Sequence, residues 1–392
     1  VLEQMLIAYP EADLFAVCDF LPESHRGMLQ GRQPKTTFIQ RMPWSGKKHR
    51  LYLPLMPIAI EQLDLSSYDL ILSSSHCVAK GVITGPNQTH VSYVHASVRY
   101  AWQLQQQYLQ EMGLTSGLGS LLIRAVLHYI RMWDLRSAVG VDKFVANSRY
   151  VAAQVSKLYR QTCKVLHPPV DLQRFPLVTE KQEYYVTASR LVPYKRIDLV
   201  VKAFARMPQR RLLVIGDGPE AGRVRAAAAG HANIEILGYM SDGELRDIVS
   251  GARAFVFAAI EDFGIAPVEA QACGTPVIAL AQGGALDTVL PLDSARPTGV
   301  YFPEQTEESL IAAVEEFEAE SHRITAFNCR ANAQRFSAER FRRDLVHLVE
   351  DAILEREVKF AVAHPEDEIA PVWQPSSSMP SGSGKRVMEM DQ

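Results

Sequence analysis

Short apolar runs recur along this chain with helical stretches between them, and that rhythm restricts the fold more than any other feature. In the first half the runs are Asp13–Cys18, Leu70–Ser75, His90–His95 and Asp142–Ser148. In the second they are Tyr184–Ala188, Arg211–Ile215, Ile234–Leu237, Ala254–Phe257 and Pro276–Ala279. Each ends in small or polar residues, as strands buried on both faces of a parallel sheet do. Helical patterns follow from about Tyr150, over Ser309–Ala319 and over Ala338–Glu357. Strand–helix–strand repetition predicts an α/β chain with doubly wound parallel sheets. His167-Pro168-Pro169-Val170-Asp171 interrupts it, because neither proline can join a helix interior. The expected organisation is therefore a domain over 1–166, a second over 167–345, a closing helix over 346–360 and a disordered Ser/Gly/Pro-rich tail over 361–392.

The bulk properties agree with two domains, since 392 residues at roughly 100–200 per domain allow about two. A net charge of −3 gives no electrostatic footprint for nucleic acid. The five cysteines are scattered, odd in number and without metal-ligand spacing, which predicts reduced thiols and a cytoplasmic protein with no metal. No apolar run approaches the roughly 20 residues that span a bilayer. The opening Val1-Leu2-Glu3-Gln4-Met5-Leu6 reads as the middle of an amphipathic helix, with no initiator Met and no signal-peptide pattern. A preceding segment is expected, and with it the first strand and glycine-rich loop of the first domain.

Chemistry concentrates at the ends of the apolar runs. After Ala254–Phe257 comes Glu261-Asp262-Phe263-Gly264-Ile265-Ala266-Pro267-Val268-Glu269. Gly264 permits a tight turn and Pro267 suits a first helical turn. Glu261 then lies in a loop, Glu269 one turn into a helix, and the free N–H groups between them form an anion site. The alternative is a solvated acidic loop. After Tyr184–Ala188 comes Ser189–Arg196, in which Arg190 and Lys195 are able to wrap a diphosphate, or to decorate an ordinary basic loop. Gly216-Asp217-Gly218-Pro219 follows Arg211–Ile215 and has one residue too many before Gly222 for a dinucleotide fingerprint. It reads as a phosphate or base-edge loop, or a plain turn. Gly283-Gly284 follows another strand, whereas Gly274 reads as a helix cap. His95 ends a strand beside Arg99 and Tyr100. The helix over Leu121–Trp133 is apolar with interspersed basic residues; it is read first as core-facing and second as a membrane-surface face.

Together these motifs resemble glycosyltransferase family 4, the retaining family of GT-B fold, over nearly the whole chain to about Glu357. The resemblance implies two facing Rossmann-like domains with donor and acceptor between them. It implies that Arg190 and Lys195 bind the donor diphosphate and that Glu261 meets the donor sugar. It gives Phe263, Gly264 and Ile265 to a loop whose backbone approaches sugar and phosphate, and Glu269 to the ribose. Gly216 and Gly218 are placed in the donor-binding loop, and His95 near the reacting sugar. Ser75–Gly81, Arg99–Trp102, Trp133-Asp134 and Val145–Ala152 look like bacterial mannosyltransferases of O-antigen and exopolysaccharide assembly. That implies GDP-mannose as donor, with no cofactor or metal, a polyprenyl-diphosphate-linked glycan as acceptor, and peripheral contact with the inner face of the cytoplasmic membrane. One departure is Asp287, a shorter acid than the Glu that usually closes Gly-Gly-x-x-Glu. The alternatives are a UDP-sugar-dependent relative, a non-catalytic nucleotide-sugar binder, an NAD-dependent oxidoreductase and a nucleotide-sugar epimerase.

Overall fold

The computed structural model describes residues 1–363 and 386–390. It holds two compact α/β units, each built on a parallel sheet. One comprises Val1–Asn147, Val151–Leu166 and the described residues from Arg342 onward; the other comprises Ser148–Tyr150 and His167–Phe341. The strands are β1 (Asp13–Ala16), β2 (Lys35–Thr36), β3 (Leu70–Ser75), β4 (Thr89–Val94), β5 (Lys143–Ala146), β6 (Cys163–Val165), β7 (Tyr184–Ala188), β8 (Arg211–Ile215), β9 (Ile234–Gly238), β10 (Ala254–Phe257), β11 (Val277–Leu280), β12 (Gly299–Phe302) and β13 (Arg386–Met390).

The amino-terminal sheet has the order β2-β1-β13-β3-β4-β5-β6, with every pair parallel. All residues of β3 and β4 are buried, the polar Ser73, Ser74, Ser75, Thr89, His90 and Ser92 among them, as in strands covered on both faces of a parallel sheet. The helix Arg149–Tyr159 buries Val151, Val155 and Tyr159 along one stripe. The helix Ala338–Ala363 inserts Leu345, Val349 and Ala352 into the same unit, and Lys143 donates to Glu355 at 2.5 Å. One sequence expectation is corrected here. The tail over 361–392 is not wholly without structure, because 361–363 complete that helix and 386–390 form β13; residues 364–385 and 391–392 lie outside the described residues. That strand lies in the interior of the sheet. Turn signals and low complexity around 375–384 hide a five-residue strand that only its neighbours stabilise.

A buried ion network organises this unit. Lys80 Nζ lies 2.8 Å from Asp134 Oδ1, with the two side chains 3% and 0% exposed. Trp102 Nε1 donates to Asp134 at 2.8 Å, Tyr159 donates to the same carboxylate at 3.1 Å, and Lys80 also donates to Ser137 Oγ at 2.7 Å. Gly81 must be glycine, since a Cβ there would sit 2.2 Å from the Trp133 ring. Thus Lys80, Gly81, Trp102, Trp133 and Asp134, which carry part of the subgroup resemblance, do structural work here.

The helix Gly117–Ser137 is apolar on two faces. Leu127, Ile130 and Trp133 enter the core, whereas Leu118, Leu121, Leu122 and Met132 are exposed on another stripe. The core-facing reading accounts for only one of them.

The carboxyl-terminal sheet has the order β12-β11-β10-β7-β8-β9, all parallel. Alternate residues serve opposite faces. Tyr185, Leu212, Val214, Val256 and Leu280 join one core cluster; Tyr184, Val186, Leu213, Ile215, Phe255 and Phe257 join the other. Winding begins at β7, proceeds outward to β9, then returns to β10 on the other side. The crevice at the carboxyl ends of β7 and β10 is therefore the switch point where such sheets bind ligands.

Candidate functional site

Two loops meet at that switch point. The loop after β7 makes a 3-10 turn over Pro193–Lys195, and Arg196 takes a left-handed φ of 53° before the helix Ile197–Ala205. The loop after β10 leads through Glu261 to Gly264, whose φ of 82° turns the chain into the helix Ile265–Ala272. Lys195 donates to Glu261 Oε1, so an ion pair bridges the two loops, with side chains 17% and 20% exposed. Lys195 also lies 5.6 Å from the centre of the Tyr194 ring. The cation and the carboxylate expected at a sugar–diphosphate junction are thus in contact.

Glycines hold these loops together by having no side chain. A Cβ on Gly216 would fall 1.8 Å from the Ser189 carbonyl oxygen, and one on Gly218 would fall 2.4 Å from that of Leu191. The β8 loop therefore lies flat against the β7 loop, and Leu191 N–H donates to Asp217 O at 2.9 Å. On the other side, a Cβ on Gly283 would meet Glu261 O at 2.5 Å, and one on Gly284 would meet Phe263 Cα at 2.3 Å. Gly284 N–H donates to Glu261 O at 2.8 Å. Gly283 and Gly284 thus set the path of the Glu261–Phe263 backbone. The Phe263 ring turns inward, packing 5.7 Å from His167 and 5.6 Å from Phe336. Its contribution to the loop surface is backbone only, whereas Ile265 is exposed.

A cavity of about 590 Å³ is lined by Arg190, Gly216, Asp217 and Glu269, while Lys195 and Glu261 are not among its lining residues. Burial raises the Glu269 carboxyl above the ordinary glutamate range, with Arg174 acting against the shift and Asp242 adding to it. Arg174 and Asp242 pair at 3.0 Å and also line the cavity, with Tyr239 and Arg246. These four residues were not singled out from sequence. Tyr239 was accessible to the same reasoning as Arg190 and Gly216, for it directly follows a strand's carboxyl end and is 82% exposed. Arg174, Asp242 and Arg246 come from a linker turn and a helix, where a lone charge reads as a solvated face.

Asp287 serves neither loop directly. It is buried, accepts from Arg149 N–H at 2.6 Å and pairs with the Arg149 guanidinium. In the amino-terminal unit, His95 follows β4. Its Nε2 is 2.8 Å from Ser74 Oγ, its N–H donates to Ser75 O at 2.8 Å, and its ring packs edge-on to Tyr93. His95 thus stands at the carboxyl ends of β3 and β4. His90, by contrast, is fully buried, 2.8 Å from Ser73 Oγ and pushed down to about 4 by burial, a neutral structural residue. Among the described residues no cluster of His, Cys, Asp and Glu is placed to hold a metal ion, and no helix is long and apolar enough to cross a membrane.

Residues 170–336 match the family described as glycosyl transferases group 1. Over 167 residues the chain is 33% identical to a D-inositol 3-phosphate glycosyltransferase from Mycobacterium sp. (strain KMS), covering 36% of this chain and 38% of that protein. Over 116 residues it is 36% identical to a GDP-mannose-dependent monoacylated alpha-(1-6)-phosphatidylinositol monomannoside mannosyltransferase from Corynebacterium glutamicum, covering 26% of this chain and 30% of that protein. The chain thus spans less than two-fifths of the length of these curated relatives. The structure is similar to sucrose-phosphate synthase from Thermosynechococcus elongatus, with a TM-score of 0.66 over 92% of both chains at 20% identity, a likeness of fold. The stretch that matches the glycosyl transferases group 1 family, residues 170–336, is the one that holds β7–β12, the Lys195–Glu261 pair and most of the Glu269 cavity.

Proposed function

We propose that the protein is a retaining glycosyltransferase that takes mannose from GDP-mannose and transfers it to a lipid-linked oligosaccharide during assembly of a cell-surface polysaccharide. The observations that carry the class are the Lys195–Glu261 pair at the β7/β10 switch point and the cavity lined by Arg190, from the same β7 loop as Lys195, and Glu269. In this reading the nucleoside occupies the cavity and Glu269 accepts from the ribose hydroxyls. Gly216, which lets the β8 loop lie flat against the β7 loop, also lines that cavity. Arg190, Lys195 and the first N–H groups of the helix Ile265–Ala272 hold the diphosphate. As the glycosidic bond breaks, negative charge grows on the leaving phosphate, and oriented cations stabilise that charge more than the ground state. The acceptor hydroxyl attacks the face the nucleotide leaves and gives its proton to a departing phosphate oxygen. Glu261 orients the sugar and Lys195. The mannose assignment draws on the similarity to the Corynebacterium enzyme and on the first-half motifs.

The exposed stripe Leu118, Leu121, Leu122 and Met132, with Arg136 and His128 also exposed on that helix, fits the headgroup region of an anionic membrane, where a lipid-linked acceptor resides. The deciding experiment is calorimetric titration with GDP-mannose, UDP-glucose and NAD, on wild type and Glu269→Ala. Selective binding of GDP-mannose, weakened about tenfold or more in the variant, is expected from loss of a charged acceptor. Selective binding of UDP-glucose would replace the donor and keep the class, and binding of NAD alone would overturn the class.

A further inference from the structure

Three consecutive residues of the loop after β10 are held from one place. The Glu261 carbonyl oxygen accepts from Gly284 N–H at 2.8 Å. The Asp262 carbonyl oxygen accepts from the hydroxyl of the fully buried Ser148. The Phe263 ring packs against the His167 ring, with centres 5.7 Å apart. Gly284, Ser148 and His167 come from three separate stretches of the chain, all within the carboxyl-terminal unit, and each leads to Asp287. Asp287 N–H donates to Gly284 O at 3.0 Å. Its Oδ2 accepts at 2.6 Å from the N–H of Arg149, the residue after Ser148, and its Oδ1 accepts from the Arg149 guanidinium. The same Oδ2 lies 3.7 Å from His167 Nε2. Burial pushes His167 down to about 4, so at neutral pH its ring is uncharged and the charge of Asp287 is met by Arg149.

We propose that Asp287 is a positioning residue, whose buried carboxylate fixes the backbone of Glu261–Phe263, and with it the Glu261 side chain, without touching the donor. The proposal rests on the reading that Glu261 orients the donor sugar. Arg149 opens the helix Arg149–Tyr159, so its N–H has no helix carbonyl to bond, and Asp287 supplies the acceptor. That bond sets where Ser148 stands, and Ser148 in turn holds Asp262 O. The Asp287 side chain is 2% exposed and that of Arg149 is 71% exposed. A pair with one member in water adds little to stability, so its worth lies in where the carboxylate puts its neighbours. Asp287 does not line the Glu269 cavity. Its loss should therefore move the group that meets the sugar and leave the nucleoside site alone. A misplacement of roughly 1 Å near a reacting centre costs on the order of 100-fold in rate.

Two measurements on the full chain test this, each on wild type, Asp287→Asn and Ser148→Ala. The first sets the rate of GDP release from saturating GDP-mannose, with water as acceptor, against the calorimetric Kd of GDP. In Asp287→Asn the rate should fall at least about tenfold, with the Kd for GDP within about twofold of wild type, because Arg190 and Glu269 lie outside the network. An unchanged rate, or a Kd that moves as far as the rate, overturns the proposal. The second is hydrogen exchange without ligand. The Gly284 amide, which donates to Glu261 O, should exchange at least about tenfold faster in Asp287→Asn, while β8 keeps its protection; an unchanged Gly284 amide overturns the proposal as well. Ser148→Ala removes only the hydroxyl that reaches Asp262 O, and the same split between rate and Kd is expected of it. It carries the test if Asp287→Asn loses protection in β8. A wild type that releases no GDP overturns the donor reading, and the Gly284 amide then decides the positioning by itself.

Discussion

Lys195 and Glu261 are far apart in sequence and in contact in space, and the chemistry proposed rests on that contact. Replacing Lys195 with Ala should lower kcat on the order of 100-fold with a much smaller change in KM, because the lost charge matters most as the phosphate leaves. Initial-rate kinetics with saturating donor check this, and turnover within threefold of wild type would remove the electrostatic role. Glu269 gives a pH signature. Its carboxyl is raised by burial and must be ionised to accept from ribose, so donor affinity should be full at neutral pH and fall on acidification sooner than for an ordinary glutamate. Donor Kd measured from pH 7.5 to 5 should therefore rise in wild type and stay flatter in Glu269→Gln. Asp134 belongs to stability instead. Removing it leaves Lys80 buried without its carboxylate, which should cost about 3–5 kcal/mol in urea unfolding; a loss below about 1 kcal/mol would mean water or backbone replaces the pair.

At the scale of elements, the strand-to-helix turns decide where function sits. The helix Ile265–Ala272 begins at a left-handed Gly264, and its orientation follows from Gly283 and Gly284 pressing on the preceding loop. Those three glycines were legible as turn residues. That two of them exist to make room for the backbone of Glu261 and Phe263 was not, since a close approach between segments leaves no mark at either one. The helix Gly117–Ser137 shows a comparable limit. A sequence with apolar residues around most of its circumference does not tell which stripe enters the core. If the exposed stripe meets lipid, the double substitution Leu121→Asp and Leu122→Asp should abolish sedimentation with anionic vesicles while leaving donor binding intact. Equal sedimentation of wild type and variant would assign that stripe elsewhere.

For the whole molecule, the fully buried His90 in the first unit and the half-buried His167 in the second are both pushed down to about 4 by burial. Unfolding returns them to an ordinary value near 6.5, so between those values the unfolded chain binds more protons. Stability is then fully present above pH 6.5 and lost as pH falls toward 4. Urea midpoints at pH 7.5 and 5 should differ accordingly, and His167→Leu should shrink the difference; identical midpoints would contradict it. The sequence by itself determined the α/β class, five of the six strands of the carboxyl-terminal sheet to within a residue, and the loops that bear Arg190, Lys195, Glu261 and Glu269. It could do so because buried parallel strands write continuous apolar runs, and ligand loops follow their carboxyl ends. Only the tertiary structure decided that Lys195 and Glu261 touch, that Arg174, Asp242 and Arg246 gather at the Glu269 cavity, and that Arg386–Met390 fills the centre of the other sheet. Those are pairings across long stretches of chain, stabilised by partners rather than by local pattern, and a strand of five residues has no period long enough to announce its place.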